Sequence, residues 1–194
     1  MPQWLQSVAV NQWTAISGTA VSAADCTPQF AAGLTDSQCR DTGYGDPRRG
    51  IFAYSGAALK AAGSEILVFG GGGAGAWAGN DVRGLRLEDD APIWRTRVNP
   101  SRATNVASRY AAAAPYQLDG LTPNARHSYW SPQFIDAQNK FMVFGCAITW
   151  TADTGQFYVV DGVPLETGVW ETPGTHPNIP IRRGWDGNWT CKHP

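Results

Sequence analysis

Two stretches of this chain repeat one another without a gap, 75 residues apart. Tyr54 to Leu59 and Glu65 to Gly70 correspond to Tyr129 to Phe134 and Lys140 to Gly145. The same offset relates Val68 to Val143, Phe69 to Phe144 and Gly70 to Gly145. Downstream, Val82 to Leu87 is matched with Phe157 to Asp161, and Trp94 precedes Trp170 by 76 residues. A supersecondary unit that recurs cannot bury its apolar surface alone, so neighbouring units must stack.

Within each repeat the apolar runs are short, rich in aromatic and β-branched residues, and bounded by Gly, Pro, Asn and Asp, which predicts strands rather than helices. The first repeat predicts strands over 52–59, 65–69, 80–87 and 93–97, and the second over 127–135, 140–144, 156–161 and 168–172. Composition agrees. With 22 Gly, 13 Pro and 9 Trp in 194 residues and only 16% charged, the chain is unlike a coiled coil, a helical bundle or a disordered tail. Four consecutive strands make a meander, and radial stacking of four-stranded meanders is a β-propeller.

The run from Ile66 to Gly73, an apolar strand ending in glycines and followed by Trp94, resembles the kelch signature. Together with Tyr54-Ser55-Gly56 and Gly79-Asn80-Asp81-Val82, it is similar to the galactose-oxidase-like propellers of bacterial and phage proteins. The second repeat departs from the signature, because Cys146 stands where the second glycine belongs. The resemblance covers about Gly50 to Thr172. It implies an all-β chain, a kelch-like β-propeller segment with two four-stranded blades and partial blades at both ends.

The expected organisation is a closing strand and long loop over 1–49, a blade over 50–97, a loop over 98–125, a second blade over 126–172 and the start of a further blade over 173–194. Closed propellers take four to eight blades of about 50 residues in the kelch case. Two blades fall short of a ring, so the expectation is a piece of a longer polypeptide or a ring completed by a second chain. An open two-blade sandwich is disfavoured, since it would leave long strand edges unprotected.

The connections divide by length. Those over 60–64, 88–91, 136–139 and 162–167 are short, whereas those over 17–49, 70–79, 98–126, 145–155 and 173–183 are long and are expected at one end of the blades. Long loops on a rigid scaffold are where binding concentrates. That end is the expected ligand face, with Trp77, Asn80, Trp150 and Asp153 at or near the blade tips. Its tryptophans could stack on sugars or anchor a protein, or else pack between blades. The glycine run 70–73 has no P-loop lysine or following helix and is expected to be a turn.

A net charge of −1 supplies no basic footprint for nucleic acid, and no apolar stretch reaches the length of a membrane span. Cys26 and Cys39 flank a polar loop and could pair, or all four cysteines, with Cys146 and Cys191, could be free thiols; no CxxC pair points to zinc. His127, His176 and His193 show no metal-ligand spacing. Thr151 to Tyr158 is similar to the Asp-box turn of sialidase propellers, which is structural, and neither GxSxG nor HExxH occurs. The sequence reading is therefore a non-enzymatic binding or structural interaction module with no cofactor. Its expected partner is a protein, the remainder of the propeller, or a glycan. The resemblance suggests a virion or cell-surface setting. The alternative is a galactose-oxidase-like or sialidase-like enzyme, with copper in the oxidase case, whose catalytic groups lie partly outside these residues.

Overall fold

A computed structural model describes residues 2–6, 8–9, 11, 15–16, 56–71, 77–99, 121–123, 128, 131–145, 157–177 and 179–180. Among them strands dominate. A short helix α1 (Gln3–Gln6) is followed by β1 (Ala57–Lys60), β2 (Glu65–Gly71), β3 (Trp77–Arg86), β4 (Trp94–Val98), β5 (Gln133–Ile135), β6 (Lys140–Gly145), β7 (Phe157–Pro164) and β8 (Ile179–Pro180). β1 to β4 form one antiparallel sheet in sequence order; β5 to β7 form a second, and the two-residue β8 pairs with the first residues of β7. The all-β expectation holds, and the expected order of four strands holds in the first sheet.

The repeat survives as register. Leu59 faces Ile66 and Lys60 faces Glu65 in the first sheet; 75 residues on, Phe134 faces Phe141 and Ile135 faces Lys140. The turns between these strands are also equivalent. Ser64 and Asn139, again 75 apart, both adopt positive φ, at 43° and 46°. Ser64 accepts the Leu87 N–H and its hydroxyl meets Glu88, while Asn139 accepts the Leu165 N–H and its amide donates to Glu166.

In the third strand and the turn after it the offset is larger than the sequence matching suggested. Phe69 faces Val82 but Phe144 faces Val160, and Ile66 faces Leu85 but Phe141 faces Val163. Val82, Gly84, Leu87 and Glu88 therefore correspond to Val160, Gly162, Leu165 and Glu166, 78 residues on. β7 runs three residues past the expected end at Asp161, and its turn is shorter than 162–167. The expected strand over 168–172 is not one. It makes a backbone bond to β7 from Glu171 N–H to the Gly162 carbonyl, and a turn at 173–174 separates it from β8. Pro173 and Pro177 deny the ladder two donors in this stretch, which accounts for the broken strand.

Alternation assigns each side chain to a face. We call the face of Glu65, Leu67 and Phe69 the front of the first sheet, and that of Ile66 and Val68 its back. The core joins front residues of the first sheet (Ala58, Leu67, Phe69, Val82 and Val98) to Phe141, Val143, Val163 and Leu165 of the second, with Phe134 and Trp170 packed against them. By the repeat, Phe134, Phe141 and Val143 are equivalents of Leu59, Ile66 and Val68, so they lie on the back of the second sheet. The two units thus stack front to back, in the same sense, rather than face to face about a two-fold axis. The Phe69 and Trp170 rings meet edge to face across this junction with centroids 5.6 Å apart, and the Lys60 ammonium lies 6.0 Å from the centre of the Phe134 ring.

Candidate binding face and its charged supports

The expected ligand face lies where β2 hands over to β3. The first two glycines of the run belong to β2 and are not a turn: the register shifts between Phe69 and Gly71, and Gly70 sits at φ 44°, a bulge conformation that suits a residue without Cβ. Gly71 faces Trp77, which places that tryptophan at the first position of β3.

Asn80 is buried, and its side-chain amide donates to the Pro123 carbonyl at 2.7 Å. This bond ties β3 to the long connection between the repeats. Asn80 holds the loop with its amide nitrogen rather than offering that group to solvent. Trp150 and Asp153 lie outside the described residues, as do His127, His193 and the four cysteines.

Two charged clusters went unnoticed in the sequence. In the first sheet Glu65, exposed to only 2%, is ion-paired with Arg97, whose Nε lies 3.1 Å from one carboxylate oxygen, and the Lys60 ammonium stands 3.8 Å from the other. The carboxylate crosses the backbone of Gly84, where a Cβ would overlap it. In the second sheet Lys140, the repeat equivalent of Glu65, donates to Glu171 at 2.7 Å, and Nε2 of His176 lies 2.6 Å from the other Glu171 oxygen. Here the carboxylate crosses Gly162 in the same way. The two clusters exchange charges over equivalent glycines: in the first sheet the acid is on β2 and its base, Arg97, on β4, whereas in the second the base is on β6 and the acid, Glu171, in the segment that bonds to β7. The signal was present as Glu65 against Lys140; the partners are not equivalent, since Glu171 aligns with Arg95 while Glu65 is met by Arg97 two residues on.

Burial raises the Glu171 carboxyl, but the hydrogen bonds from Lys140 and His176, together with their positive charge, outweigh it and hold the group below its ordinary value of 4.5. Such a carboxylate stays ionised at neutral pH. It accepts hydrogen bonds and is a poor proton donor, so this cluster braces the sheet rather than supplying a general acid.

On the back of the first sheet Asp81 and Arg83 are both fully buried and paired, with Nε 2.6 Å from Oδ2. They stand two residues apart on one strand and so point to the same side. Among the described residues no three His, Cys, Asp or Glu side chains stand together as a metal site, and no helix is long and apolar enough to cross a membrane.

No family model, no curated protein and no solved structure matches this chain.

Proposed function

We propose that the chain contributes two consecutive blades of a kelch-like β-propeller and serves as a non-enzymatic binding or structural interaction module. The observation that carries this reading is the front-to-back stacking of two repeated antiparallel units. Radial arrays stack their blades in that sense, each front on the next back, whereas a sandwich pairs two like faces. The ligand face is the end of β3 where Asn80 holds the segment at Pro123, with Trp77, Trp150 and Asp153 as contact residues and Asn80 as the residue that fixes the loop. A protein or a glycan is the ligand class that tryptophans on a binding face suit. The resemblance to phage and bacterial propellers supports a virion or cell-surface setting.

The test pairs a glycan array with metal analysis and turnover assays on the purified protein. Glycan binding without copper and without turnover supports the module. Stoichiometric copper with oxidation of galactose, or release of sialic acid from a sialoside, overturns it in favour of the enzyme.

A further inference from the structure

Past Trp170 the second sheet has no regular fourth strand, and the segment 171–177 is fastened to it through a single residue. Glu171 gives its N–H to the Gly162 carbonyl at 2.9 Å and accepts from the Lys140 ammonium at 2.7 Å. Among the described residues, no other member of the segment makes a hydrogen bond or ion pair to either sheet. His176 and Thr175 bond back within the segment, to the Glu171 carboxylate and the Thr172 carbonyl. Pro173 and Pro177 have no N–H to give. Gly174 sits at φ 83° with no atom within 4 Å of where its Cβ would be, so nothing packs on that side of the turn. Trp170 is by contrast held in the core against Phe69. The segment thus has a fixed root and one fastening. That fastening is also a cover: the Glu171 carboxylate, Nε2 of His176 and Sδ of Met142 all lie within 3.0 Å of the point a Gly162 Cβ would occupy, and Met142 is only 7% exposed.

We propose that 171–177 is an acid-released strap: with Glu171 ionised it lies closed over Gly162 and Met142, and protonation of that carboxyl lets it swing out from Trp170 while both sheets stay folded. The charged groups facing the carboxylate are Lys140 from β6 and His176 from the strap itself. β7 brings none to this face, because Asp161 points to the other side, and Glu166 is engaged with Asn139. In acid, where an imidazole is charged, Lys140 and His176 are two cations around a carboxyl that no longer offsets them. Because they hold Glu171 below its ordinary value of 4.5 in the folded state, closure is complete above that pH and weakens as pH falls through the depressed value. Opening of this kind is local, as suits an exposed segment with one backbone bond to its sheet. β8 follows the strap and pairs with the first residues of β7, beside the proposed binding face, but the release does not depend on that reading.

Met142 reports the opening, and Met1, the other of the chain's two methionines, serves as the reference. Wild type and E171Q in the full chain are treated with dilute hydrogen peroxide between about pH 7 and about pH 3. Sulfoxide at each methionine is read by peptide mass spectrometry, and hydrogen exchange of β2 monitors the sheets. In wild type, oxidation of Met142 relative to Met1 should rise at least about tenfold in acid, at pH values where β2 keeps its protection. E171Q should already oxidise at the faster rate at neutral pH and change little further in acid. Met142 protected throughout, while β2 is folded, overturns the proposal. Oxidation that rises only as β2 loses protection makes the event global unfolding and overturns it too. A wild-type acid response retained in E171Q would place the trigger on another group, with the same consequence.

Discussion

The Glu65 carboxylate lies across Gly84, with both of its oxygens facing cations and the glycine supplying the space a side chain would fill. The requirement for glycine here is one of room, set by the partner rather than by backbone conformation. G84A should therefore destabilise the protein by about 1–3 kcal/mol through overpacking. The loss should shrink in an E65A background, because removing the carboxylate removes the greater part of the clash and leaves only the Arg97 stem close to the new methyl. Urea denaturation of the wild type, both single variants and the double variant gives the coupling; additive losses would show that Glu65 is not what confines Gly84.

The charge-exchanged counterpart predicts a pH effect. Glu171 is held below its ordinary value of 4.5, so in the folded state it gives up its proton more readily than in the unfolded chain. The stabilisation is complete above about pH 4.5 and is lost as pH falls through the depressed folded value. E171Q should flatten the acid limb of the stability profile relative to wild type. Thermal melts between about pH 2 and 7 check this, and parallel acid limbs would show that Lys140 and His176 do not hold the carboxylate.

Asp81 and Arg83 should respond asymmetrically to substitution. Removing Asp81 leaves a guanidinium buried without its carboxylate, and breaking such a pair from one side costs about 3–5 kcal/mol. Replacing both with apolar residues of similar volume costs much less, since neither charge then has to leave water. The comparison is D81A against D81L with R83M, followed by chemical denaturation. Equal losses would place the energy of this site outside the pair.

Much of the architecture was legible because side chains that set register also repeat. The offset of 75 in Leu59, Lys60, Ser64 and Glu65 is the offset of the β1–β2 and β5–β6 pairings themselves. The third strand was misplaced by three residues because alternating apolar positions match equally well in several registers. The pattern Val82, Gly84, Leu87 and Glu88 against Val160, Gly162, Leu165 and Glu166 was the stronger guide. The last strand of the second unit was misread because Trp170 keeps its place in the core after the ladder around it has lapsed. Charge exchange hid the ionic clusters: an acid and a base at equivalent positions read as divergence, although the geometry over Gly84 and Gly162 is shared. Of the expected binding residues, only Asn80 has a described environment, and its buried amide could not be told from an exposed one by sequence.

Asn80 and Trp77 separate support from contact on the proposed binding face. Asn80 donates to the Pro123 carbonyl inside the protein, so N80A should strand a buried acceptor and cost about 1–3 kcal/mol, whatever the ligand. Trp77, at the first position of β3, belongs to the proposed contact set, so W77A should lower ligand affinity by about tenfold or more. Denaturation and binding titration of both variants distinguish the two roles. If N80A keeps full stability, the bond to Pro123 is not what joins these segments. If W77A binds the selected glycan or protein as wild type does, the contact surface lies elsewhere on this end.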